Sequence, residues 1–154
     1  MKKEEEAGKA LRIFGLACLI IVFDQFSKFL VARYLGKSVP IISNIFHLTY
    51  IHNTGAGFGI LKGKNTLLIF VALMIIGAVL FYYDKLKNKA IVHYSVGLIL
   101  GGAIGNLIDR IRLGYVIDFL DFRIWPAFNV ADSAVSIGAI LMIIYLWRTE
   151  SFKA

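Results

Sequence analysis

The chain has 154 residues, room for one domain, and 58% of them are hydrophobic against 18% charged. A mean hydropathy of +0.73 reads as a membrane protein. The single cysteine excludes an intramolecular disulfide, and a net charge of +7 without a basic stripe interleaved with aromatics argues against a nucleic-acid partner.

The N-terminus opens with Lys2 and Lys3, then a solvated Glu4-Glu5-Glu6 run, before an apolar stretch over Leu11–Leu35. Gly15-Leu16-Ala17-Cys18 faintly resembles a lipoprotein cleavage box, but Gly15 stands where such a box has leucine. The stretch therefore reads as a retained first span, with Cys18 a buried small hydrophobe. Asp24 falls in its second half, four residues before Lys28, the spacing of an intrahelical ion pair.

Residues 39–61 are rich in β-branched and aromatic side chains, and the partial alternation Phe46, Leu48, Tyr50, His52 predicts short strands. Asn53-Thr54-Gly55-Ala56-Gly57-Phe58-Gly59 closes them with turn chemistry. A small sheet of this kind could hold an extended peptide by edge pairing. Two more apolar stretches follow, Thr66–Tyr83 and Ile91–Ile108, joined by the basic run Asp84–Lys89. In the second, Gly101-Gly102-Ala103-Ile104-Gly105 is a helix-packing face of small residues. Asn106 and Asp109 then share one helical face, with Arg110 beside them.

The connection 109–127 alternates apolar and acidic residues from Gly114 to Phe122, so it too is expected to be extended. The last stretch runs from Phe128 to Trp147. Asn129 and Asp132 have the spacing of an N-cap and its N3 partner, after Pro126. Each apolar stretch has about the 20 residues a helix needs to cross a bilayer core of about 30 Å. The expected fold is thus an all-α membrane protein: four transmembrane helices, approximately 11–35, 66–83, 91–108 and 128–147, in one domain over 1–154. A small outer sheet (39–61) and an outer loop or lid (109–127) complete it.

Lys2, Lys3, Lys9, Arg12, Lys85, Lys87, Lys89, Arg148 and Lys153 fall on the side of the termini. Arg33, Lys37, Lys62, Lys64, Arg110, Arg112 and Arg123 are spread over longer connections opposite, so the positive-inside rule puts both termini in the cytoplasm. Five of the ten acidic residues, Asp24, Asp109, Asp118, Asp121 and Asp132, then converge on the outer leaflet. Carboxylates near hydrocarbon are expensive and mark function. His47, His52 and His93 show no ligand spacing and read as structural.

Three chemistries compete for the acids: carboxylate-pair hydrolysis, Mg²⁺-dependent phosphotransfer, and a proton-coupled carrier. No glycine-rich phosphate loop or inverted repeat is present, and the acids crowd one side. A serine–lysine peptidase built on Ser27 and Lys28 is disfavoured because adjacent helix positions point about 100° apart. Asp121 has no assigned role beyond the loop.

Asp24-Gln25-Phe26-Ser27-Lys28, Asn53-Thr54-Gly55-Ala56-Gly57-Phe58, Gly101 to Arg110, Val116-Ile117-Asp118-Phe119 and Phe128-Asn129-Val130-Ala131-Asp132 occur in order along the chain. Together they resemble the motif set of bacterial lipoprotein signal peptidases (signal peptidase II), departing at Gly57, where that family more often has alanine. The resemblance spans essentially the whole chain. It implies a cytoplasmic-membrane aspartic peptidase that removes signal peptides from diacylglyceryl-modified prolipoproteins just before the lipidated cysteine, with no cofactor and no metal. It places the catalytic pair on Asp118 and Asp132, and substrate or globomycin-like inhibitors against Asn53, Gly55, Asn106, Arg110 and Asn129. Asp24, Lys28, Gly101, Gly105, Asp109, Phe119 and Ala131 take supporting positions. Within the pair, the helix N-terminus favours Asp132 as the anion and leaves the proton on Asp118.

Overall fold

The computed structural model describes residues 2–36, 38–56 and 60–151. The expected basic positions Lys37 and Lys153, and the Gly57, Phe58 and Gly59 of the turn motif, lie outside them.

Three described helices are long and apolar enough to cross a membrane: Lys3–Tyr34, Ala90–Leu113 and Val130–Thr149. The first combines α1 (Lys2–Ala10), one π-helical turn (Leu11–Gly15) and α2 (Leu16–Tyr34). Its 32 residues rise about 48 Å, more than a bilayer core requires. A shorter apolar helix, α3 (Asn65–Phe81), follows, then α4 (Ala90–Leu113) and α5 (Val130–Ser151). Phe23, Phe26 and Phe29 of α2, Phe70 and Met74 of α3, and Ile140 and Ile143 of α5 are exposed. In water such faces would drive aggregation, whereas lipid is their natural surrounding.

The most enclosed helix is α4, packed on α2, α3 and α5. Glycines make that possible. A Cβ on Gly101 would meet the Ala17 carbonyl oxygen of α2 at 2.8 Å, and one on Gly102 would run into the Ala131 carbonyl of α5. Backbones this close exclude any larger residue. At the opposite end of α4, Arg12 reaches His93 Nδ1 (3.3 Å), and the ammonium of buried Lys9 lies 4.2 Å from the Tyr83 ring centre. The first ties the π-helical turn to the start of α4, and the second ties α1 to the α3–α4 connection. Cys18 corrects the expectation: it is exposed. It follows Ala17, whose side is the one turned to α4, so Cys18 faces away from the core.

Strands β1 (Ser38–Ile42), β2 (Phe46–Asn53) and β3 (Val116–Asp121) form one antiparallel sheet in the order β1-β2-β3. The two long connections therefore build a single sheet, rather than a sheet and a separate loop. Asn44, at φ 61°, turns the β1–β2 hairpin. Sequence reasoning ended the third apolar helix near Asp109; α4 continues to Leu113 and stops at Gly114, whose φ of 82° suits glycine. A register shift between Leu48 and Ile51 leaves Ile51 opposite Asp118 and Asn53 opposite Val116. Ile117 and Phe119 pack on Val31 of α2. The other edge of β3 holds Phe128, whose carbonyl accepts from Phe119 and Leu120 N–H. That pairing brings the start of α5 against β3.

Candidate active site

Two layers of polar residues meet where α2, α4, β3 and the start of α5 converge. The lower layer is built on Lys28, 2% exposed. Its ammonium makes ion pairs with Asp24 (2.8 Å) and Asp109 (2.9 Å) and donates to Asn106 Oδ1 (2.9 Å). Three donors meet three acceptors, which is how charges survive without water. The intrahelical pair foreseen between Asp24 and Lys28 is present, but Asp24 does more. Its other oxygen accepts the Ala131 N–H (2.9 Å), one of the free donors at the N-terminus of α5. Asp109 similarly accepts the Ile117 N–H (3.2 Å), fixing β3 to α4. Gln25 donates to Asp24 (3.2 Å), Asp109 (2.9 Å) and the Gly105 carbonyl (3.2 Å). Sequence reading passed over Gln25; its position one residue after a buried carboxylate was the available signal.

The upper layer holds the remaining pair. Asn129 caps α5: its Oδ1 accepts the Asp132 N–H (2.9 Å), and its own N–H donates to Asp132 Oδ2 (3.3 Å), the reciprocal arrangement that the spacing predicts. Asn129 Nδ2 also donates to Asp118 Oδ1 (2.8 Å) and to Asn106 Oδ1 (3.1 Å), while Asn106 Nδ2 donates to Asp132 Oδ1 (2.8 Å). Asp118 and Asp132 are thus joined by a two-asparagine bridge anchored below by Lys28. On its free side Asp118 Oδ2 accepts from Asn53 Nδ2 (2.8 Å), and Asn53 is oriented by the Gly55 N–H on its Oδ1 (2.8 Å). Arg110 reaches across to the Gly55 carbonyl (3.0 Å).

Burial first, and then the charge of Asp132, push the Asp118 carboxyl up to about 7, against the donors from Asn53 and Asn129. Asp121 goes the other way. Burial opposes its charge, but donors from Arg123 N–H (2.9 Å), Thr49 (3.0 Å) and the Arg123 guanidinium (3.1 Å) hold it below the usual carboxylate value. It is the last residue of β3, bound to β2, and stands apart from the pair. Arg123, two residues on, was a local partner the sequence reading passed over; Thr49 lies on β2, distant in the chain.

Asn53, Gly55, Asn106, Arg110, Asp118 and Asp132 line one cavity of about 580 Å³. Its apolar end runs between α3, α4 and α5, past Leu68, Val71, Ala72, Ala103 and Val135, and Trp125 and Pro126 border it. A mostly apolar cleft with a few convergent polar groups is what a ligand site requires. Asn129 sits behind this wall, fully buried. Gly105 lets the Asp24 carboxylate approach; a Cβ there would lie 2.7 Å from it. Gly101 faces α2 and Phe119 faces Val31, so both support packing and touch no cavity surface. Ser27 donates to the Asp24 carbonyl (2.8 Å), and Lys28 is saturated by carboxylates, so no serine–lysine pair forms. Among the described residues no group of three or more His, Cys, Asp or Glu is arranged to hold a metal ion.

Helices apolar enough to cross a membrane surround a cavity lined by Asp118 and Asp132, and two solved structures described as bacterial membrane enzymes share the fold. One is 34% identical, covers 90% of this chain and 89% of its own, and superposes with a TM-score of 0.85. The other is 35% identical, with coverages of 85% and 89% and a TM-score of 0.76. The family model for signal peptidase (SPase) II matches residues 16–148. The lipoprotein signal peptidase of Halothermothrix orenii is 51% identical over 140 residues, covering 90% of this chain and 97% of its own. That of Caldanaerobacter subterraneus subsp. tengcongensis is 50% identical over 131 residues, with coverages of 82% and 90%. The chain belongs to the signal peptidase II family and is a membrane peptidase.

Proposed function

We propose that this peptidase removes the signal peptide of diacylglyceryl-modified prolipoproteins by cleaving just before the lipidated cysteine, with Asp118 and Asp132 as the catalytic pair. The observation that carries the reading is that these two carboxylates face one cavity, linked through Asn129 and Asn106. Two adjacent carboxyls share one proton, because both cannot ionise together. Asp132, capped into its helix, takes a proton from water. Asp118 holds the shared proton and donates it toward the scissile carbonyl oxygen. The water oxygen bonds to the carbonyl carbon; the tetrahedral species then collapses as the C–N bond breaks, the amine takes the proton held by Asp132, and one hydroxyl of that species returns a proton to Asp118. Asn53, Gly55, Asn106 and Arg110 orient the peptide backbone, with Asn129 fixing the pair from behind. Asp24, Lys28, Gly101, Gly105, Asp109, Phe119 and Ala131 hold the elements that carry them. Globomycin-like peptides would compete for the same cavity.

In this reading the chain is one domain of the bacterial cytoplasmic membrane. α3, 17 residues long and about 26 Å in rise, is the fourth span beside the three longer ones. Both termini are then cytoplasmic and the sheet lies at the outer leaflet, leaving the substrate's acyl chains in lipid. A Mg²⁺-dependent phosphotransferase is disfavoured because Asp109 and Asp121 are committed to Lys28 and Arg123.

The test is cleavage of a diacylated prolipoprotein peptide by the purified wild type, Asp118→Asn and Asp132→Asn, each with and without EDTA. Each variant should fold and lose turnover by about 10²- to 10⁴-fold, with EDTA without effect. Retained cutting by either variant, or loss of wild-type activity in EDTA, overturns the assignment.

A further inference from the structure

The β1–β2 hairpin carries apolar surface that the site does not use. Val39, Ile41, Ile42 and Ile45 are 43%, 55%, 52% and 59% exposed, and β1 is exposed along its whole length, on both faces. None of these residues lines the cavity. β1 lies two strands from β3, about 10 Å from the strand of Asp118. Isoleucines on both faces of this edge strand keep about half or more of their surface exposed.

We propose that the hairpin tip, formed by Ile41, Ile42 and Ile45, inserts into the outer leaflet at the boundary between headgroups and acyl chains. This rests on the outward placement of the sheet argued above, and deepens it. The sheet is held at the depth where the helices end. Ile117 and Phe119 pack on Val31 near the end of α2, β3 follows α4 after Gly114, and Phe128 returns the chain directly to α5. An apolar tip at that depth continues the apolar surface of the helices. The outer backbone edge of β1 limits how far it sinks, because unpaired N–H and C=O groups are not tolerated in hydrocarbon. The interface, where apolar side chains reach about 5–10 Å below the headgroups, satisfies both demands. Pro40 in this edge strand disfavours a second chain as the occupant, since proline keeps edges from pairing. With the tip anchored, the depth of Asn53 and Asp118 is fixed, so the distance from the bilayer surface to the scissile bond becomes a property of the fold.

The test uses the full chain with Cys18→Ala and Ile42→Cys, labelled with an environment-sensitive fluorophore and reconstituted in phosphatidylethanolamine–phosphatidylglycerol vesicles. Quenching by lipids spin-labelled near the headgroup, and not by aqueous iodide, is expected. Quenching by iodide overturns the proposal, as does protection that appears only as the protein-to-lipid ratio rises, which would mean a second copy. Ile42→Asp with Ile45→Asp, at unchanged melting temperature, should lower kcat/KM in vesicles by about 10²-fold, the scale of withdrawing two apolar side chains from the interface. Unchanged kcat/KM also overturns it. Wild-type cleavage in the same vesicles separates the two claims: an iodide-accessible tip with intact cleavage rejects only the anchor, and a lipid-protected tip without cleavage rejects only the peptidase chemistry.

Discussion

Asp118 is where the electrostatics of the site can be read most directly. Its carboxyl is pushed up to about 7 by burial and by Asp132. An acid raised in the folded state keeps its proton between roughly pH 4, its value in the unfolded chain, and about 7. Stability is therefore fully present below that window and is lost as pH rises through it. Thermal denaturation in detergent should show wild type losing ground to Asp118→Asn between pH 4.5 and 7.5; parallel curves would refute the shift. The same titration should give peptidase activity an alkaline limb near pH 7, as the pair loses its shared proton. A profile flat to pH 9 would contradict it. Lys28 makes a second case. Lys28→Met leaves two buried carboxylates without their cation, and breaking buried pairs in this way costs about 3–5 kcal/mol. Chemical denaturation measures it, and a loss below 1 kcal/mol would show that the layer is not tightly coupled.

At the scale of elements, close backbone approach decides where the carboxylates lie. Gly102 of α4 faces the Ala131 carbonyl, one residue before Asp132. In Gly102→Ala the new methyl must push α5 away from α4. Overpacking of this kind costs about 1–3 kcal/mol, and because Asp132 rides on α5, turnover should fall more than stability does. Wild-type kinetics in a folded Gly102→Ala protein would count against this geometry. The capping pair Asn129 and Asp132 was readable from spacing alone, because a cap is a local structure. Gly105 illustrates the opposite. Its helical small-residue pattern was visible, but its contact with Asp24 depends on how two helices cross.

For the whole molecule, the apolar periods and the acid positions were legible because membrane burial imposes long uninterrupted stretches and penalises each charge. That reading gave the apolar helices, their order, and the gathering of Asp24, Asp109, Asp118 and Asp132, though it placed Asp121 with them. Local chemistry in the sequence determined the ion pair of Asp24 with Lys28 and the cap on α5. Only the tertiary structure decided that β3 joins β1 and β2 in one sheet, that Asp24 caps a helix more than a hundred residues away, and that Asp121 binds Thr49 of β2 instead of facing the site. It also turned Cys18 outward. Each of these depends on which face of an element meets which neighbour, and hydropathy and spacing carry no record of partners distant in the chain.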